Sequence, residues 1–225
     1  MNKILSIDVG IKNLAYCILD ENKKICDWNV LNLIDETIYC CCLKKNGSPC
    51  KSKASFYEII NNKKNGYCKT HTKPDLKKIK NRKVKSISIK EISQTLFDTL
   101  NNYSEMLNVN KVIIENQPCL MNPMIKTVQV LIYSYFIMNG LMNNDSNIID
   151  VQFVNAKNKL SFYDGPPIEL FSNNKYTQRK KESIEVCKYM LSDNTQKEFF
   201  LSHTKKDDLA DSYLQGIWFL LKKTK

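Results

Sequence analysis

ILSIDVGIKNLAYCIL, residues 4–19, reads as two apolar strands joined by a short polar turn, and it places a lone carboxylate, Asp8, between Ile7 and Val9. Burying an unpaired charge is costly, so an acid at such a position is a cap, an ion-pair partner or a ligand for a cation. Gly10, just behind it, signals a tight turn or a close approach of backbone. The role of Asp8 depends on whether other acids converge on it.

Around that stretch, KILSIDVG, NLAYCILDE and KICDWNVLNLI form three successive strands of an antiparallel meander. Residues 39–75 change character, with five Cys, a His, many Lys and Asn and little periodic apolar content; they form an insertion with its own stabilising device. SISIKEISQTLFDTLNNYSEML then spaces Ile89, Ile92, Leu96, Leu100 and Tyr103 as a helix does. KVIIENQP is a buried strand stopped by Pro118. An apolar helix at about 123–142 and the strand NIIDVQFVNA follow, then a loop containing YDGPP. TQRKKESIEVCKYML and HTKKDDLADSYLQGIWFLLKK complete the chain as helices, the second with Thr204 as N-cap and Asp207 as its capping-box partner. The order predicts an α/β fold in which a mixed central sheet is flanked by helices. The main domain is expected over 1–38 and 76–225, with residues 39–75 inserted after the third strand.

The chain has 43% hydrophobic residues, enough for a core, and 34 Lys and Arg against 23 acids give a net charge of +11, which fits a polyanionic partner such as nucleic acid. A lysine-rich, A+T-biased composition could produce the same excess. VLIYSYFIMNGLM is too short and too broken by Ser, Asn and Gly for a membrane span, so no membrane is expected as a partner. Asp8 interrupts the place of a signal peptide's apolar stretch, and nine cysteines, an odd number, point to a reducing intracellular compartment. Cys17, Cys26, Cys119 and Cys187 are read as ordinary core or surface residues.

Glu115 ends a second apolar strand, and Asp208 and Asp211 lie three residues apart, on one helix face shared with Leu214 and Trp218. Two ionised carboxylates at about 4 Å repel by on the order of 4 kcal/mol at an effective dielectric near 20, so neighbours that stay ionised require cations. Carboxylate oxygens are the ligands of hard Mg²⁺, and two such ions can activate water and stabilise the leaving oxygen of a phosphodiester.

IDVGIKNLAY, VIIENQP and KKDDLADS resemble the three signature segments of RuvC-like Holliday junction resolvases, nearest the branch of poxviruses and other large DNA viruses. That resemblance covers nearly all of the chain outside residues 39–75. It implies an RNase H-like fold with Asp8, Glu115, Asp208 and Asp211 as catalytic ligands of two Mg²⁺ ions. It further implies a homodimer that nicks a four-way DNA junction symmetrically during viral DNA replication or recombination. The setting would be the host cytoplasm, at viral factories, or the virion. The family keeps basic residues near the cleavage point, for which Lys157, Lys159, Arg179, Lys180 and Lys181 are the DNA-binding candidates. Another RNase H-like nuclease, acting on flaps, other branched DNA or RNA–DNA hybrids, is the alternative. A sugar-kinase or actin-type ATPase also begins with Asp-x-Gly, but its phosphate loops need clustered glycines, and the six here are scattered.

CCCLKKNGSPCKSKA and GYCKTH resemble a small zinc-binding insert of viral proteins with the spacing C-x₉-C-x₁₇-C-x₂-H. On that pattern Cys40, Cys50, Cys68 and His71 hold one structural Zn²⁺ with no open position, and Cys41 or Cys42 can stand in for Cys40.

Overall fold

The structure, a computed structural model, describes residues 2–34, 38–61, 63–79, 84, 87–118, 122–168 and 174–222. It divides into two compact units, residues 1–33 with 88–225, and residues 34–87.

The first unit opens with the expected meander of β1 (Lys3–Asp8), β2 (Leu14–Asp20) and β3 (Ile25–Leu31), antiparallel throughout. Every residue of β2 is buried, because the sheet is covered on both faces. Gly10 closes the β1–β2 turn, where a Cβ would sit 2.1 Å from the Asn13 carbonyl oxygen, so the turn excludes any larger residue.

The second unit has a three-stranded sheet of its own, with β4 (Phe56–Ile60) central between β5 (Lys63–Tyr67) and β6 (Lys77–Lys78). Few apolar residues are buried there, and Cys40, Cys50 and Cys68 make up a cluster at its centre.

Back in the first unit, α1 (Ile89–Asn102) starts at a capping box in which Ser88 and Glu91 satisfy each other's backbone N–H groups. It buries Ile92, Leu96 and Leu100, the expected stripe. β7 (Lys111–Glu115) is followed by α2 (Pro123–Phe136), which ends in a π-helical turn over Ile137–Leu141, and then by β8 (Asp150–Val154). β7 pairs parallel to both β1 and β8, giving the mixed order β3-β2-β1-β7-β8 of an RNase H-like sheet.

The last three helices are α3 (Lys175–Met190), α4 (Asn194–Ser202) and α5 (Lys206–Lys222). α4 is absent from the sequence reading. It is capped by Asp193, whose carboxylate accepts from Gln196 N, and it buries Phe200 parallel to the Trp28 ring with centroids 5.5 Å apart. The N-cap expectation for α5 is corrected. The helix begins at Lys206, so Lys205 and not Thr204 precedes it, and the Asp207 carboxylate is held by Lys180 of α3 at 2.5 Å. A cationic partner across the helix pair supplies more than a return to the cap would.

Candidate active site

β1 and β7 lie side by side in parallel, with Ile7 opposite Ile114, so the next residues, Asp8 and Glu115, leave neighbouring strands at the same level and on the same face. Their carboxyl groups are close enough for Glu115 to raise the proton affinity of Asp8. The ends of parallel strands are where sheets of this class place ligand sites.

α5 covers that face. Gln215 Nε2 donates to Ser6 Oγ at 3.1 Å and to the Ile7 carbonyl oxygen at 3.2 Å, which ties the helix to β1 one residue before Asp8. Gly216 allows the contact, since a Cβ there would lie 2.6 Å from Leu19 Cδ1. One turn back along the same helix face, Asp211 reaches the strand-end acids, with Asp208 a further turn behind. Trp28 steadies that turn from β3, its indole N–H donating to the Leu209 carbonyl at 3.1 Å.

The cluster is short of positive charge. Burial first, then the charges of Glu115 and Asp211, push the Asp8 carboxyl well above the usual range. Burial likewise raises Asp211, against the pull of Lys159. Asp208 is pushed up to about 6 by burial and by the neighbouring Asp207. Two buried oxygens, Asp208 Oδ2 and Asp211 Oδ1, have no hydrogen-bond partner among the described residues. Asp211 beside Asp8 and Glu115, with orphaned oxygens on Asp211 and on Asp208 one turn behind it, fits hard divalent cations, which would satisfy those lone pairs.

Of the basic candidates, Lys159 joins the acids. Its Nζ lies 2.5 Å from Asp211 Oδ2, brought there by the turn after β8. Burial lowers its proton affinity, but Asp211, Asp8 and Glu115 together leave it raised. Lys180 is engaged with Asp207, while Lys157, Arg179 and Lys181 are exposed. Three positioning groups escaped the sequence reading: Gln215, Ser183 beside Asp211, and Gln117, whose Nε2 donates to Glu115 Oε2 at 3.0 Å. Gln117 N in turn donates to the fully buried Gln129 Oε1 at 2.7 Å. The ENQ run was the available signal, because a strand-end acid followed two residues later by an amide can be gripped by it.

In residues 34–87 the structure gathers Cys40, Cys50, Cys68 and His71, whose ligand atoms all lie within 4.8 Å of one another. Cys40 Sγ and Cys68 Sγ are 3.2 and 3.4 Å from His71 Nδ1, and Cys50 Sγ is 3.9 Å from Cys68 Sγ. A tetrahedron with Zn–S of about 2.3 Å and Zn–N of about 2.0 Å has edges of about 3.5 Å (S···N) and about 3.8 Å (S···S), so the four groups fit such an ion. A one-turn helix over Lys69–His71 swings His71 back onto Cys68, and the turn at Gly47, φ +78°, returns Cys50 to Cys40. Among the three adjacent cysteines Cys40 is buried in the cluster, Cys41 is exposed and Cys42 packs beside it. Ser52 hydrogen-bonds to the Cys50 thiol and lowers it to about 6, the direction a thiolate ligand requires. Cys17 and Cys187 are buried and Cys26 is exposed, while Cys119 lies outside the described residues.

The family model for the poxvirus A22 protein matches residues 54–223. The chain belongs to that family. It is 28% identical to the uncharacterized protein L451 of Acanthamoeba polyphaga mimivirus, over 97% of this chain and 74% of that protein. Its fold is similar to that of the fowlpox virus resolvase, solved with its substrate Holliday junction DNA: TM-score 0.53, 19% identity, 99% of both chains. The yeast mitochondrial Holliday junction resolvase Ydc2 is similar to the same degree, with TM-score 0.53 and 16% identity over 97% of this chain and 79% of that one. Membership of this viral family and the shared fold agree with the RNase H-like sheet order. No helix among the described residues is long and apolar enough to cross a membrane.

Proposed function

We propose that this chain is a Mg²⁺-dependent endonuclease that resolves four-way DNA junctions by paired symmetric nicks, acting as a homodimer where viral DNA is copied in the host cytoplasm. The observation that carries the reading is the meeting of Asp8 and Glu115, from adjacent parallel strands, with Asp211 on the helix tied across them, Asp208 lying one turn behind it. The resolvases of similar fold, named for four-way junctions, supply the substrate.

Asp8, Glu115, Asp208 and Asp211 would hold two Mg²⁺ ions, which when bound activate water and stabilise the leaving 3′ oxygen of a phosphodiester. The protein's own part is positioning. β1 and β7 fix two carboxylates at one level, Gln117 orients Glu115, and the Gln215 bonds to Ser6 and Ile7 set the distance from α5 to the strand ends. Lys159 holds Asp211 and offsets part of the negative charge that would otherwise repel a phosphate. Arg179, Lys181 and Lys157 are left to contact DNA. A two-fold dimer presents two such sites to the two symmetric strands of a junction. In the 34–87 unit, Cys40, Cys50, Cys68 and His71 would bind one Zn²⁺, closed to substrate and purely structural.

The deciding experiment incubates the protein with a synthetic four-way junction, a flap, a linear duplex and an RNA–DNA hybrid, each with Mg²⁺. Symmetric paired nicks in the junction with ligatable ends are expected. Cutting of the flap or hybrid in preference to the junction would replace this reading by the alternative nuclease.

A further inference from the structure

The net charge of the chain is not shared between its two units. Residues 34–87 contain 14 Lys and Arg against 4 Asp and Glu, a net +10, whereas the remainder contains 20 against 19, a net +1. A lysine-rich composition imposed by the genome would act on both units alike. The larger unit is just as biased toward lysine, with 19 Lys and one Arg, yet it is balanced to within one charge, so that bias alone does not produce an excess of charge.

The excess is displayed on the surface. Lys51, Lys53, Lys69, Lys73, Lys77 and Lys78 are all exposed. The two described acids of the unit do little to offset them, since Glu58 already accepts from the Tyr67 hydroxyl and Asp75 stands in a turn. Several of these lysines sit on ordered backbone: β6 places Lys77 across from Tyr57 and Lys78 across from Phe56, and Lys73 Nζ lies 5.0 Å over the Tyr67 ring. A purely structural insert gains nothing from ten net positive charges, which repel one another in a unit with a small apolar core.

We infer that the 34–87 unit is a second DNA-binding surface, one that grips the phosphate backbone of duplex arms without reading sequence. Lysine ammoniums on a strand framework suit phosphates, and duplex DNA presents about one negative charge per 1.7 Å of axis. Binding strength and strand cleavage are then lodged in different units of one chain. The identity of the polyanion rests on the proposed function; the existence of the surface does not.

The test uses the full-length protein with Lys51, Lys53, Lys77 and Lys78 all changed to Gln, compared with wild type and with the same four changed to Arg. Affinities for a four-way junction and for a linear duplex, DNA and RNA, are measured between about 50 and about 200 mM KCl without added divalent ion, alongside zinc content and resistance to protease. For the Gln variant the slope of log K against log salt should become shallower by about 0.9 for each phosphate that is no longer neutralised, hence by about 2 to 4 in all. Affinity for DNA should fall at least tenfold, on junction and duplex alike, and in separate junction-cleavage assays with Mg²⁺ the loss should appear in KM and not in kcat. The Arg variant should bind as wild type does. An unchanged slope in a zinc-loaded, protease-resistant Gln variant overturns the inference, as does an equal loss in the Arg variant. A slope change confined to RNA overturns the choice of DNA. If wild type neither cuts nor prefers a junction but the slope still falls on DNA, the proposed function fails and the DNA-binding surface stands.

Discussion

The two units of this chain solve the problem of stability in opposite ways. Residues 1–33 with 88–222 bury two-sided strands, β2 on every residue, and close their helices with the Ser88 capping box and the Asp193 cap. Their carboxylates gather on a framework that is complete without any ion. Residues 34–87 have four sulfur and nitrogen ligands at the centre of a small three-stranded unit, and the thiols themselves are a large part of what is buried. On the proposed function, a metal would be a reagent in one half of the protein and a staple in the other. Oxygen ligands left in excess of what the fold needs mark the first role; a closed set of soft ligands marks the second.

The sharpest way to break that contrast is at the acids. Asp8→Asn, Glu115→Gln or Asp211→Asn should each reduce junction cleavage below about one part in 10³, equivalent to about 4 kcal/mol of transition-state stabilisation, with thermal stability and junction binding kept. Gel-resolved cleavage under single-turnover conditions checks this, and nicking by Asp8→Asn at a comparable rate would remove the acids from the chemistry.

At the staple, Cys68→Ser should release zinc and open residues 34–87 to protease while residues 88–222 stay protected. Structural zinc contributes on the order of 10 kcal/mol of binding free energy that a unit of this size cannot replace. Elemental analysis and mapped proteolysis measure it. Less than half an ion per wild-type chain, or cleavage spread over both units in the variant, would contradict the division.

A smaller effect is expected from Gly216→Ala, whose Cβ would press on Leu19 Cδ1 at 2.6 Å and on Ser6 Cβ at 3.3 Å. Overpacking of this kind costs about 1–3 kcal/mol, part of it offset by the better helix propensity of Ala. Urea unfolding should register the loss, and cleavage should slow because α5 is displaced from β1. A variant as stable and as active as wild type would mean that the contact yields freely.

The smallest expected effect is a difference in pH response. With the acid site metal-free, the folded protein holds a proton on Asp208 up to about 6, above the usual carboxylate value of 3.8, and Asp8 and Asp211 are shifted the same way. The Asp208 contribution to stability is therefore full below the unfolded value and is lost as pH rises through about 6, and Asp8 and Asp211 act in the same direction. Saturating Mg²⁺ should flatten that loss. The thiol site runs in reverse, since acid protonates its ligands and releases zinc. Melting curves for the nuclease unit and zinc release, followed over the same pH series with and without Mg²⁺, should diverge; parallel curves would deny the contrast.

The placement of the acids was partly legible in the sequence, because strand ends and helix faces follow from periodicities. Two apolar strands each ending in an acid become neighbours once the strands are parallel, and an i, i+3 pair on a half-buried helix has to face the sheet. Lys159 and Gln215 were not legible as partners of that site, for their roles depend on where a turn and a helix face come to rest. α4 escaped because SDNTQKEFFLS buries just Phe200 and shows almost no apolar period. Thr204 looked like a cap, but the Lys180 ammonium on another helix claims Asp207. Among Cys40, Cys41 and Cys42, spacing alone could not choose; the backbone bonds from Cys40 N to the Ser52 oxygen and from Cys41 N to the Gly66 oxygen, both 2.9 Å, fix which thiol faces inward.

The bonds from Gln215 to Ser6 and Ile7 make the spacing of the four acids a property of the hydrophobic interior. A library of variants selected for folded protein would spread its penalties over the whole of that interior. The same library selected for DNA cleavage would single out Ser6, Gln215 and Gly216 almost as sharply as the acids, although none of the three need ever meet a substrate. Catalytic fitness in this molecule should thus be read as a ruler laid between one strand and one helix.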